Sequence, residues 1–246
     1  MNKVQLIAQE IKETFCPNGI TDVYYICECL DIVIHEAPIK ADGYLRCENG
    51  KNFIFLKDSL DANRKKFTIA HELGHFFIDW HSELMFGCDI REMDFSRDYK
   101  PREKEANLFA AELLMPINEF AKNFSGKISY ETVSAMAKFF DVSFHAALSR
   151  SMDLANEDCV VISSVDRCVK WFKCTEGFPL FIRRKKVCEL SAADELFGQL
   201  NFDNKTVQEP GYVWFDNADD IQIEEQSVYF PNYGEVVSII HLKDEF

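Results

Sequence analysis

The pentapeptide His71-Glu72-Leu73-Gly74-His75, set inside a helical pattern, constrains this chain more than any other feature. From Asp61 to about Trp80 the sequence DANRKKFTIAHELGHFFIDW puts Phe67, Ala70, Leu73, Phe77 and Trp80 on or near one face, which predicts a single amphipathic helix. Histidines at i and i+4 stand one above the other on such a helix, so both imidazoles can reach one ion. The glutamate between them points alongside, toward a water on that ion. Gly74 sits mid-helix, where Gly costs about 1 kcal/mol relative to Ala. A close approach of another backbone or of the metal site accounts for its presence.

Two imidazoles do not complete a zinc site, so a third ligand is expected downstream. Pro101, suited to a first helical turn, opens a second predicted helix, PREKEANLFAAELLM, which Pro116 closes. It offers Glu103, Glu105 and Glu112. At 100° per residue Glu103 shares a face with Asn107, Ala110 and Leu114, whereas Glu105 and Glu112 lie about 200° and about 180° away. One of these faces can meet the histidine helix, and helical geometry alone leaves the choice open.

The segments before these helices read as helix, helix and sheet. Val4, Ile7, Ala8, Ile11 and Phe15 form a helical stripe that Pro17-Asn18-Gly19 ends, and Thr21 is the expected N-cap of a short helix to about Leu30. Asp31 to Glu36 reads as a strand, and GYLRCE and KNFIFLK as a hairpin turned by Asn49-Gly50. After the second signature helix, a helical pair at 129–153 resembles a helix-turn-helix. Arg150 is the one basic residue of its second helix, so a structural hairpin is the expectation rather than a DNA reader. Beyond Asn156 the chain turns to CVVISS, CVKWFKC, FPLFIRR, GYVWF, QSVYF and EVVSIIHL, interrupted by a helix from Ala192 to Leu200. A domain boundary near 157 is expected.

Length and charge narrow the partners. The 246 residues carry 41 Asp plus Glu against 27 Lys plus Arg, a formal charge of −14, which argues against a general nucleic-acid or anionic-membrane surface. There is no run of about 18 apolar residues to span a bilayer and no secretory signal pattern, so a cytoplasmic protein is expected. Nine cysteines without a Cys-x-x-Cys indicate reduced, mostly buried thiols. Arg183-Arg184-Lys185-Lys186 reads as a solvated strand end or turn, and Phe76, Phe77, Phe109, Phe139 and Phe140 as core. His35, His145 and His241 have no motif around them.

FTIAHELGHFF followed by EKEANLFAAELLMP resembles the ImmA/IrrE family of bacterial zinc metallopeptidases, over residues 1 to about 155. That family pairs a His-Glu-x-x-His helix with a second helix of the form Glu-x-x-x-Asn-x-x-Ala-x-x-Leu-Leu-Met-Pro. The resemblance implies Zn2+ held by His71, His75 and Glu103, with Glu72 as the catalytic acid/base and Asn107 beside the site. It thereby selects the Glu103 face that geometry left open. With those roles, Glu72 would take a proton from the zinc water, the hydroxide would attack a peptide carbonyl, and Glu72 would pass the proton to the leaving amine. KNFIFLK is expected to hold an extended substrate by backbone hydrogen bonds. Tyr44, His81 and Tyr99 are candidates for stabilising the oxyanion.

The expected fold is therefore α+β: a minimal zincin-like metallopeptidase domain over 1–156, including the 129–153 hairpin, then a β-rich C-terminal module over 157–246. The resemblance further implies a cytoplasmic endopeptidase that cuts a specific regulatory protein, such as a helix-turn-helix transcriptional repressor of a prophage or mobile element. A competing expectation is a zinc-containing regulatory or antitoxin-like protein that binds a partner without hydrolysing it.

Overall fold

A computed structural model describes residues 2–84, 99–182, 186–198, 204–216, 218 and 220–243, with the side chains of 82–84 and 99–100 excepted. Among them it forms a mixed α+β fold of eight α-helices and two sheets, and divides into two compact units. One unit comprises Met1–Lys122 and Met136–Ala147; the other comprises Asn123–Ala135 and Leu148–Phe246.

The first unit opens with helix α1 (Lys3–Phe15), whose Asn2 and Gln5 form a reciprocal capping box. Helix α2 spans Val23–Cys29. Its N-cap is Asp22, which accepts from the amides of Tyr24 and Tyr25, and not Thr21 as the sequence suggested. The Thr21 hydroxyl instead donates to the Leu113 carbonyl at 2.6 Å, a long-range bond no local pattern encodes.

Strands β1 (Ile32–Ala37), β2 (Gly43–Glu48) and β3 (Lys51–Lys57) form a sheet in the order β1-β3-β2. Strand β1 runs parallel to β3, and β2 runs antiparallel to it through a turn in which Asn49 and Gly50 both adopt positive φ, 52° and 75°. That is the backbone geometry for which this dipeptide is suited. Ile54 and Leu56 of β3 are fully buried. A side chain added at Gly43, the cross-strand partner of Leu56, would strike Thr68 of the next helix, so this face of the sheet is the one turned to that helix.

Helix α3 spans Ala62–Phe77, capped by Asp61, which accepts from the Arg64 amide. It ends three residues short of the expected Trp80, and a 3-10 turn over Asp79–Leu84 follows. Helix α4 spans Tyr99–Leu114 and so starts two residues before Pro101, and Pro116 precedes an unforeseen helix α5, Ile117–Asn123. Gln9 of α1 donates to Glu112 of α4, and Lys12 of α1 pairs with Glu119 of α5, each at 2.8 Å. Phe109, Leu113, Ile69 and Leu73 are buried completely. Helices α6 (Tyr130–Phe140) and α7 (Phe144–Met152) make the expected helical pair. Phe140 is buried, but Phe139 is 52% exposed and does not belong to the core as expected from its spacing.

In the second unit an antiparallel sheet runs in the order β5-β4-β8-β7-β6, built from β4 (Cys159–Val165), β5 (Cys168–Cys174), β6 (Lys205–Pro210), β7 (Gln222–Phe230) and β8 (Glu235–Leu242). Helix α8 (Ala192–Gly198) packs on it. Two expected strands do not form among the described residues: GYVWF begins as a 3-10 turn, Gly211–Val213, and FPLFIRR contributes one bridge, Ile182 to Phe215, with 183–185 outside the described residues. Trp214 and Phe215 instead fill the core against Ile162, Ile223 and Ile240.

Candidate metal centre

The helical spacing brings the imidazoles together. His71 and His75, one turn apart on α3, place their Nε2 atoms 3.1 Å from each other. Glu103 of α4 faces them, with one carboxylate oxygen 3.2 Å from His71 Nε2 and the other 3.2 Å from His75 Nε2. Among the described residues this is the single group of three metal-ligating side chains close enough to share an ion. Ligand atoms about 2.0–2.1 Å from a tetrahedral zinc stand roughly 3.3 Å apart, so the spacing fits that ion.

Gly74 explains how the two helices come close enough. A Cβ there would lie 3.2 Å from the Ala106 Cα and 3.3 Å from the Ala106 carbonyl oxygen of α4. Of the two reasons the sequence offered for this glycine, the close approach of a second backbone is the one found.

Asn107, one turn beyond Glu103, holds His71 from behind: His71 Nδ1 donates to its side-chain oxygen at 3.0 Å. A carbonyl oxygen only accepts, so the hydrogen of His71 belongs on Nδ1 and its Nε2 lone pair turns toward His75 and Glu103. The nitrogens and carboxylate thus converge on one point with room for a positive charge. The electrostatics agree. Burial opposes charge on His71, but Glu103 and Glu72 outweigh it and raise its pKa. Burial likewise opposes charge on Glu103, and its bonds to His71 and His75 override this and hold it well below the usual carboxylate range.

Glu72 is 6% exposed, and burial pushes its pKa up, against the pull of the two histidines. The neighbouring Leu45 backbone of β2 also works to lower it. The Lys57 amide donates to the Asp42 carbonyl at 2.9 Å, which makes Asp42, Tyr44 and Arg46 the positions bonded to β3. Because bonded positions alternate in an antiparallel pair, Gly43, Leu45 and Cys47 present their backbone groups to the outer edge of β2. KNFIFLK, expected to hold an extended substrate, is the central strand β3 and is paired on both sides, so its ladder positions are taken. Among the described residues, the edge strand next to α3 is β2.

The other candidates fall elsewhere. Glu105 does not join the cluster; it accepts from Trp80 Nε1 at 2.7 Å and lies 2.9 Å from His81 Nε2. Glu112 accepts from Gln9 and from the Ile117 amide. Tyr44 stacks on Phe55, on the sheet face opposite Ile54 and Leu56, and so points away from α3. The side chain of Tyr99 lies outside the described residues. His81, 2% exposed, has both ring nitrogens engaged, Nδ1 with His75 Nδ1 at 3.0 Å and Nε2 with Glu105. Sequence reasoning missed this contact, because the 3-10 turn that tucks His81 inward has no periodic signature. His35 stacks beside both Phe53 and Phe55, and His241 Nε2 donates to the Ile128 carbonyl.

Comparison with known proteins adds three findings. Residues 27–152 match the peptidase family described as IrrE N-terminal-like domain, about half of the chain and both signature helices. The chain is 28% identical over 111 residues to Metallopeptidase ImmA of Bacillus subtilis (strain 168), covering 44% of this chain. It spans 63% of that relative's length. Among solved structures, a Mycobacterium tuberculosis transcriptional regulator aligns with a TM-score of 0.65 at 13% identity, covering 98% of this chain and 76% of that one, which is a likeness of fold. None of the described helices is long and apolar enough to cross a membrane.

Proposed function

The chain belongs to the IrrE N-terminal-like peptidase family, and from that premise we propose that it is a zinc-dependent endopeptidase that cuts a specific regulatory protein. The observation that carries the reading is the convergence of His71, His75 and Glu103 beside the buried Glu72. His71 Nε2, His75 Nε2 and a Glu103 oxygen would hold the ion. When bound, zinc supplies a Lewis acid for a peptide carbonyl and lowers the pKa of water toward neutrality.

Glu72 is the proton carrier of the reaction. Burial raises its pKa, which suits a group that must take a proton from water and return it to the leaving amine. The Leu45 backbone stands beside its carboxylate, and the same strand edge supplies backbone partners for an extended substrate. Asn107 fixes the tautomer of His71, as outer partners of metal-binding histidines do. Residues 1–156 form the peptidase domain in this reading and 157–246 an accessory module.

The substrate we propose is a basic helix-turn-helix repressor of a mobile element, whose charge complements the −14 of this chain in the cytoplasm. The test is incubation of wild type and Glu72→Gln, with zinc, with the helix-turn-helix protein encoded nearest to its gene, read by intact mass. Cleavage by wild type alone is the expected result. A stable complex that neither form cleaves overturns the enzymatic reading in favour of a binding protein.

A further inference from the structure

Behind His75 runs a polar chain, buried at His81, to which the reaction assigns no part. His81 is 2% exposed; its Nδ1 is 3.0 Å from His75 Nδ1, and its Nε2 is 2.9 Å from Glu105 Oε2. The same oxygen accepts from Trp80 Nε1 at 2.7 Å, and the Lys3 ammonium stands 4.3 Å over the Trp80 ring.

With both imidazoles neutral, one arrangement of hydrogens satisfies every member. An ionised carboxylate only accepts, so His81 carries its hydrogen on Nε2 and donates it to Glu105. The Nδ1 of His81 is then a lone pair. His75, facing that lone pair with its own Nδ1, must donate there. Its Nε2 is left as a lone pair aimed at His71 and Glu103, the direction in which a metal ligand is needed.

We propose that His81 is a positioning residue that fixes His75 in its Nε2-ligating tautomer and ring orientation, with Glu105 fixing the tautomer of His81 in turn. The proposal deepens the zinc-peptidase reading and rests on it. The two histidines are held by unlike groups. His71 leans on an amide oxygen that can only accept, whereas His75 leans on an imidazole that accepts only because a carboxylate dictates where its hydrogen sits. The support of His75 therefore needs two residues in series, one from the 3-10 turn and one from α4.

The experiment compares wild type, His81→Gln and His81→Phe as full-length proteins. Imidazole nitrogen shifts in metal-free protein report the tautomer of His75, and chelator competition reports zinc affinity. Gln can accept from His75 and donate to Glu105, whereas Phe keeps a ring but makes neither bond. Expected are a wild-type His75 with its hydrogen on Nδ1, a mixture of tautomers in His81→Phe with zinc affinity down about 10- to 100-fold, and recovery of both in His81→Gln. A wild-type His75 with its hydrogen on Nε2 overturns the proposal without any variant. So does a His81→Phe protein with unchanged tautomer and affinity. Failure of wild type to retain zinc would instead sink the peptidase reading, because the tautomer is read without metal.

Discussion

Gly74 of the histidine helix lies against the backbone of Ala106 on the glutamate helix, with no room between them for a methyl group at ordinary contact distance. The separation of α3 and α4 is set there, one residue from His75 and three from Glu103, so helix packing and ligand spacing are one quantity.

Gly74→Ala should therefore separate stability from metal binding. Ala gains about 1 kcal/mol of helix propensity, which offsets part of the crowding against Ala106. Zinc affinity, read by chelator competition, is expected to fall about tenfold or more as Glu103 moves outward, while the urea midpoint shifts little. Unchanged affinity would show that α4 absorbs the methyl group without displacing Glu103.

Glu103→Gln should weaken zinc retention by about 100-fold or more, and Glu105→Gln by about tenfold at most, because Glu105 acts only through His81. The opposite ranking, measured by metal content after dialysis, would mean that the third ligand has been placed on the wrong carboxylate.

In the second unit, Glu225 is fully buried and accepts from Trp214 Nε1 at 2.7 Å, from the Ala193 amide at 2.9 Å and from Ser227 Oγ at 2.5 Å. It thus anchors the start of α8 to β7. Glu225→Ala leaves these donors buried and unpaired, a loss of about 3 kcal/mol or more in chemical denaturation. A loss under about 1 kcal/mol would show that water replaces the carboxyl group.

Glu209 on the neighbouring strand gives the unit a pH dependence. Burial first, and then the adjacent Glu225, push its pKa from an ordinary 4.5 up to about 9. Between those values the folded chain keeps a proton that the unfolded chain releases. The contribution to stability is thus complete below about pH 4.5 and is lost as pH rises toward 9. Wild type should lose stability between pH 6 and 9, by no more than about 1.4 kcal/mol per pH unit from this one proton, and Glu209→Gln should flatten that slope. Equal slopes in the two proteins would contradict it.

What the sequence revealed and what it hid follow from the range of the interactions involved. His71, Glu72 and His75 were legible because one helical turn spaces them, and the hairpin because Asn49-Gly50 tolerates positive φ. Helical geometry separated Glu103 from Glu105 without choosing between them; the choice needed family resemblance, and its physical cause is the Gly74–Ala106 contact. Strand β6 went unread because KTVQEP ends in Pro and hides an inward-facing Glu209 where an apolar residue would mark the pattern. GYVWF read as a strand from its aromatics, yet Gly211 lies too close to Ala218 for any side chain, and the segment turns there. His81 was obscured by distance: its partner Glu105 is 24 residues away.

On the proposed reading, the edge of β2 also limits which parts of a partner can be cut. Gly43 and Cys47, with the Leu45 carbonyl between them, offer donors and acceptors that only a chain with its own backbone groups unspent can meet. A helix has none to spare along its length. A helical regulator would thus be vulnerable at its linkers and frayed ends, and its resistance would track how firmly those segments are folded. Selectivity of this kind depends as much on the local unfolding of the target as on its sequence.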